Sequence, residues 1–362
     1  MKKSSYELYT TTKEAWDAMY RSLQTAEHSI FWELYMFVDD EVGRPFFDLL
    51  EAKARAGVVV RLIVDSLGSF WLSQQRIKRL RNSGVDIILF HERRHKYRGF
   101  WRRLWSRTHR KVLVIDESVA FVGGVNIRKD MSDWQDVMVR FEGDAVAPLL
   151  RYFARSYIIA GGDKKQVRAL KRFRVTLHPF RDIRAIFDEP LRKKSYAKKT
   201  YVKALKKAKK RVVFFSPYYV PDREFIAELY NARRRGVRVD ILLPLRSDLR
   251  LLTYVAYGYI ALMEKIGVHV HLTPKQFHGK GVVVDDEWAM VGSSNIDQTS
   301  FRDNYEANVS IHNKRIVSRL RRAIDAWLRE SISGVEHTKK HDGWFHRAKT
   351  RIATWLYHLW YR

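Results

Sequence analysis

His109 to Asn126 reads HRKVLVIDESVAFVGGVN, and His278 to Asn295 reads HGKGVVVDDEWAMVGSSN. Counted from each histidine, a lysine stands two residues on (Lys111, Lys280), an aspartate seven (Asp116, Asp285) and an asparagine seventeen (Asn126, Asn295). On a strand, residues two apart point to the same face, so each His and Lys project together. The apolar runs behind them, VLVI and VVV, have the make-up of centrally buried strands. In GGVN and GSSN the small residues, Ser293 among them, let backbone and a side-chain amide come close to a ligand. Asp116 and Asp285 fall at an odd offset near the strand end, which assigns them to holding the turn. A carboxylate follows at nearly equal spacing, Asp136 in one half and Glu306 in the other. A lone His-x-Lys strand is an ordinary polar edge. Two with one set of offsets are a chemical signal.

The repeat extends outward from both motifs. Ahead of the first, Ser29–Val38, Val58–Val64 and Val85–Phe90 read as strands, and Pro45–Ala56 and Gln74–Asn82 as helices. Ahead of the second, Arg211–Phe215, Val237–Leu243 and Val268–Leu272 are strand-like, and Arg223–Arg235 and Leu251–Ile266 helical. Gly57, Gly84, Gly236 and Gly267 close those helices, as glycine just past a helix end does. The expectation is a duplicated α/β unit. Its parts are a first half (1–160), a basic connector (161–199), a second half (200–333) and a tail (334–362). Between Gly84 and His109 lie 24 residues, against ten between Gly267 and His278, so the first half carries a basic-aromatic insertion at 92–108.

The 362 residues hold 68 Lys and Arg against 40 Asp and Glu, a net charge of +28. At 46% hydrophobic residues the chain can bury a large core, which excludes a disordered basic tail as its main content. Cys is absent, which removes thiol nucleophiles, disulfides and Cys-ligated metals. The charge calls for a polyanionic partner, nucleic acid or an anionic membrane. The start, MKKSSYELYTTTKEAW, lacks the apolar core of a signal peptide, and no stretch reaches the roughly 18 apolar residues of a span. Leu251–Met263 reads as a buried or interfacial helix. A protein on the cytoplasmic side of the membrane is expected.

The paired HxKx4D motifs resemble the phospholipase D superfamily over nearly the whole chain. The wording of HRKVLVIDESVAFVGGVNI, WQDVMVRFEGDAV, HGKGVVVDDEWAMVGSSNID and SFRDNYEANV is similar to bacterial cardiolipin synthases. The resemblance implies two α/β/α sandwich halves packed face to face around one shared active site. It implies His109 as nucleophile, forming a phosphohistidine, and His278 as acid and base. Lys111, Lys280, Asn126 and Asn295 would hold the phosphate, with Ser293 alongside, and Asp136 and Glu306 would orient the histidines. The motif counts Asp116 and Asp285 with this catalytic group. No metal and no cofactor are needed. Two departures stand out: Gln135 occupies a place where Arg is expected, and the N-terminal spans of many relatives have no counterpart here.

The expected reaction joins two phosphatidylglycerols into cardiolipin and releases glycerol. Hydrolysis of phospholipids and nuclease action on the same scaffold are the alternatives. Peripheral attachment to anionic phospholipids would come from two segments. Arg93 to Arg107 mixes seven Lys or Arg with Tyr97, Phe100, Trp101 and Trp105, the composition of a headgroup interface. In the tail, Phe345, Ala348, Ile352, Trp355, Leu356 and Leu359 fall at helical spacing, flanked by Arg347, Arg351 and His358, with Trp360 next to the end. The membrane-contact candidates are therefore Trp101, Trp105, Trp355 and Trp360. Packing of either segment on the chain's own core is the competing reading.

Overall fold

The computed structural model describes residues 5–90, 106–173, 182–190, 195–340 and 343–360. The first half runs β1 (Tyr6–Thr11), α1 (Thr12–Gln24), β2 (Ser29–Leu34), α2 (Gly43–Arg55), β3 (Val59–Asp65), α3 (Gln74–Asn82), β4 (Asp86–Phe90), β5 (Val112–Ile115), β6 (Val119–Gly123), β7 (Gln135–Glu142) and α4 (Ala147–Ile159). Its seven strands lie in the order β1-β7-β6-β5-β2-β3-β4. The second half runs β8 (Ile183–Asp188), α5 (Tyr196–Lys207), β9 (Arg211–Phe215), α6 (Arg223–Arg234), β10 (Arg238–Pro244), α7 (Arg250–Lys265), β11 (His269–Thr273), β12 (Gly281–Val284), β13 (Trp288–Gly292), β14 (Glu306–Ile311) and α8 (Lys314–Arg329). After it come β15 (Ile332–Ser333), α9 (Gly334–Lys340) and α10 (Trp344–Trp360). The second sheet, β8-β14-β13-β12-β9-β10-β11-β15, repeats the first strand for strand and adds β15 at the edge.

Residue alternation on the central strands builds three layers of core. Val112 and Val114 of β5 face a core shared by both sheets, while Leu113 and Ile115 face an outer core under α1, α2 and α3. In β12, Val283 faces the shared core and Val282 and Val284 an outer core under α5, α6 and α7. Helices α4 and α8 complete the shared layer with Leu150, Phe153, Leu320 and Trp327, and β6 and β7 lie against β13 and β14. Each half is thus a sheet between helix layers, and the halves meet face to face.

Local chemistry sets the helix ends. Thr11, Ser73, Ser195, Asp222 and Asn313 accept a backbone N–H of the helix they open. Gly57, Gly84, Gly236 and Gly267 end their helices with φ of 92°, 96°, 82° and 78°, the left-handed backbone that glycine adopts at least cost. The strand expected over 29–38 stops at Leu34; beyond it Met36–Val38 pair with Ile127, and Ser69 bonds Tyr35 and Phe37. The Ser69 hydroxyl accepts the Phe37 N–H and donates to the Tyr35 carbonyl.

One expectation on organisation is corrected. The stretch read as connector, 161–199, contains β8, an edge strand paired along its whole length with β14, and the start of α5. Its basic residues masked a short strand. In the tail, the competing reading of packing on the chain's own core holds for one face of the helix. Helix α10 packs on α7, where Ala353 and Tyr357 are buried against Val220 and Val255. Gly258 permits the approach, since a Cβ there would lie 3.2 Å from Thr350 and 3.3 Å from Thr354.

Candidate active site

The two motifs come together because each half hydrogen-bonds the strand lead-in of the other. The His109 N–H donates to the Tyr305 carbonyl at 2.9 Å, and the Tyr305 N–H to the Arg107 carbonyl at 2.9 Å. Across the pseudo-twofold, the His278 N–H donates to the Gln135 carbonyl at 2.8 Å, and the Gln135 N–H to the Gln276 carbonyl at 2.9 Å. Each histidine therefore sits beside the carboxylate of the opposite half. His109 Nδ1 is 3.1 Å from both carboxylate oxygens of Glu306, and His278 Nδ1 is 2.8 Å from Asp136 Oδ2. With the carboxylates ionised, each Nδ1 carries the proton and donates it, which leaves each Nε2 with its lone pair.

Burial governs the protonation states. His109 is pushed down to about 4, by burial first and then by Lys111 and Lys280, against the opposing pull of Glu306. Burial and Lys280 likewise lower His278, against Asp136. Burial would raise Glu306 and Asp136, but the partner histidine and a nearby lysine hold both below the ordinary carboxylate range. Lys280 falls to about 8 through burial, and Lys111 falls well below its usual value through burial and the charge of Lys280. Each ammonium donates to the carbonyl of its own histidine, Lys111 at 2.7 Å. Aromatic rings wall both histidines, Tyr35 at 5.1 Å from His109 and Trp134 at 5.8 Å from His278.

Asn126 and Asn295 follow β6 and β13, buried to 2% and 4% exposure, and each Oδ1 lacks a hydrogen-bond partner among the described residues. A buried amide end without a partner is costly unless a ligand supplies one. Ser293 donates its hydroxyl to Glu306 and accepts the Ala307 N–H at 2.9 Å. Gly124 stands at the equivalent place in the first half, where a Cβ would lie 2.2 Å from Asp136 Oδ1.

Asp116 and Asp285 are elsewhere. They lie at the far ends of β5 and β12 from the histidines, in turns with φ of 48° and 52°. Asp116 accepts the N–H groups of Glu27, His28 and Ser29, and Asp285 those of Lys209, Lys210 and Arg211. Their oxygens are engaged in tying the loop ahead of β2 or β9 to the motif strand. This corrects their grouping with the catalytic residues and fits the turn-holding reading.

Sequence reasoning missed several residues. Tyr35 and Trp134 carry no motif, and the exchange of carboxylates between halves is a three-dimensional fact. Arg110, between His109 and Lys111, is 1% exposed and bonds the Glu306 carbonyl, the Ser156 hydroxyl and the Asp188 carbonyl. Its counterpart is Gly279, packed against Phe277, Val137 and Phe215. Of the membrane-contact candidates, Trp101, Trp105 and the side chain of Trp360 lie outside the described residues, and Trp355 is 61% exposed on α10. No helix among the described residues is long and apolar enough to cross a membrane.

A family model described as cardiolipin synthase, PLD-like domain, matches residues 19–156 and 201–328, one match per half. A cardiolipin synthase of Clostridium perfringens is 31% identical over 328 residues, covering 87% of this chain and 68% of that protein. One of Geobacillus kaustophilus is 32% identical over 312 residues, covering 84% of this chain and 62% of its own length. The chain thus spans about two thirds of these relatives. A phosphatidylserine synthase structure from Haemophilus influenzae superposes with a TM-score of 0.73 at 12% identity, over 96% of this chain and 95% of that one, which shows a common fold. With both halves matched and the paired motifs in one site, the chain belongs to the cardiolipin synthase family of phospholipase D-like proteins.

Proposed function

We propose that this chain transfers a phosphatidyl group between two phosphatidylglycerol molecules through a phosphohistidine, making cardiolipin and releasing glycerol. The observation that carries the reading is the crossed pair of histidines, each with Nδ1 held by the other half's carboxylate and each accompanied by a buried lysine. His109, neutral at pH 7, attacks phosphorus through Nε2, and Glu306 stabilises the positive charge that the ring acquires. His278 gives its proton to the departing glycerol oxygen as the P–O bond breaks. A hydroxyl of the second phosphatidylglycerol then gives its proton to His278 and attacks phosphorus. The P–N bond breaks and the ring of His109 is restored. Burial keeps His278 unprotonated at rest, so the bound phosphodiester anion supplies the charge that lets it carry a proton. Lys111, Lys280, Asn126 and Asn295 hold the non-bridging oxygens.

The apolar walls of the site favour an alcohol over water as acceptor. The reading places the chain peripherally on the cytoplasmic face of the membrane, bound to anionic phospholipid. Ile352, Trp355 and Leu356 point outward from α10 and support that attachment. Incubation with phosphatidylglycerol liposomes followed by mass analysis of the lipids tests the reaction. Cardiolipin with glycerol is the expected outcome. Phosphatidic acid would replace transfer by hydrolysis, and absence of any lipid product would overturn the reading. His109→Ala and His278→Ala should each abolish product, with a loss of about 10³-fold or more. Substantial cardiolipin from either variant would sink the two-histidine route.

A further inference from the structure

Three of the most exposed large apolar side chains stand together in one turn. Leu67, Phe70 and Trp71, between β3 and α3, are 53%, 71% and 70% exposed, and the two rings touch edge to face at 5.5 Å. The exposure is built in. Asp65 Oδ1 accepts the N–H groups of Leu67 and Gly68, the Ser69 N–H donates to the Asp65 carbonyl, and the Leu72 N–H to the Ser69 carbonyl. Leu72 is buried, and Ser73 caps α3 directly behind it. Gly68 is pressed so closely on Tyr35 that a Cβ would lie 2.3 Å from its carbonyl oxygen. Between these anchors Phe70 and Trp71 have nowhere to turn inward.

The turn is part of the rim of the site. Asp65 Oδ2 accepts the N–H of Thr108, the residue before His109, and Tyr35, on which Gly68 rests, walls His109. Across the pseudo-twofold, the loop between β10 and α7 repeats the placement. There Leu249, at the end of the loop, and Leu251, in the first turn of α7, are exposed on either side of the exposed Arg250, and Asp248 accepts the hydroxyl of Tyr218. The two loops follow equivalent strands, β3 and β10, and leave them at the ends of the sheets where His109 and His278 enter β5 and β12.

We infer that the 67–71 turn, with Leu249 and the start of α7 at the equivalent place in the other half, is a preformed docking surface that enters the interface of an anionic phospholipid bilayer and sets the active-site mouth against it. The inference rests on the reading that the site acts on a phospholipid. Exposed aromatics held rigidly at a site mouth are suited to the headgroup boundary, where an apolar ring is buried at little ordering cost. Arginines beside the apolar residues, on a chain of net charge +28, match an anionic surface. Substrate tails would then remain in the bilayer while the phosphodiester reaches the histidines.

The absence of cysteine makes a direct test available. Phe70→Cys, labelled with an environment-sensitive fluorophore, should shift to the blue on adding vesicles of equal phosphatidylglycerol and phosphatidylcholine. Val59→Cys, at the opposite end of β3, should not shift. Phe70→Ser/Trp71→Ser in the otherwise intact chain should sediment with those vesicles about tenfold more weakly or worse. An unshifted Phe70 label, equal shifts at both positions, or undiminished sedimentation of the double variant would overturn the inference. So would a shift that appears without vesicles and grows with protein concentration, which marks a second copy of the chain as the occupant. Lipid turnover is scored separately on the unlabelled chain. Its absence would refute the transferase reading and leave the label result to stand or fall alone.

Discussion

Glu306 and Asp136 do the same work with side chains of different length, and their neighbours differ to match. The longer Glu306 has a hydroxyl beside it, from Ser293, and the shorter Asp136 has Gly124. Gly124→Ser should drive Asp136 off His278, because the new Cβ would stand 2.2 Å from Oδ1. A His278 without its carboxylate loses both orientation and tautomer, so kcat should fall about 10²-fold or more while the fold survives. Turnover measured beside thermal unfolding checks this, and an unaltered kcat would refute it. Protonation gives a second prediction. A lysine lowered to about 8 is charged below that pH and neutral above it, so kcat/KM should decline as pH rises through about 8. Lys280→Arg keeps the charge at that position, so in whatever activity remains the alkaline decline should change, with Lys111 left as the lysine that titrates. In kcat the same decline should lie at higher pH, because bound phosphate stabilises the ammonium.

At the scale of the element, Asp116 and Asp285 show how one residue organises a strand pair. Each carboxylate gathers three successive backbone N–H groups and so fixes where β2 meets β5, or β9 meets β12. Removing one leaves those donors to water, at about 1–2 kcal/mol. Asp116→Ala should therefore lower the unfolding free energy by about that amount, with kcat close to wild type, as denaturant unfolding and an activity assay would show. Those backbone donors hold Asp116 below its ordinary pKa in spite of some burial. Its share of stability is thus present at neutral pH and is lost as pH falls through and below about 4, the ordinary value of an aspartate. The odd offset from the histidine already separated these residues from the lysines. The succession of strands and helices ahead of each motif was legible too, because glycines and apolar runs repeat in register. Strand β8 was not: six residues amid Lys and Arg give too short an alternation to register. The turn carrying Phe70 and Trp71 was also missed, since LGSFWL is too short for a period and has no repeat partner in wording.

For the whole molecule, the decisive relation is one that periodicity cannot express. The residues of the site were legible as two similar sets, but their pairing was not, because it exists only once two sheets are stacked and each lead-in strand crosses over. Arg110 fastens that stack. Its guanidinium reaches α4, β8 and β14 and lies 3.9 Å from the buried Glu33. Arg110→Ala would leave two carbonyls and a carboxylate short of a buried partner, so a loss of about 3–5 kcal/mol is expected. Activity should fall with it, as Glu306 loosens. A denaturant series on the variant tests both, and a change under 1 kcal/mol would show that the interface does not depend on this contact.

Crossed carboxylates in a single chain have a further result. In a symmetric dimer every substitution is made twice, so two histidines held across its axis would stay chemical twins. Here Gly279 stands where the first half has Arg110, and Gly124 where the second half has Ser293, each change made once. Covalent linkage keeps the halves together at any dilution and lets them specialise. Each ring can then be shaped for one task in every turnover, whereas identical partners could divide the work only by the way a substrate lies between them.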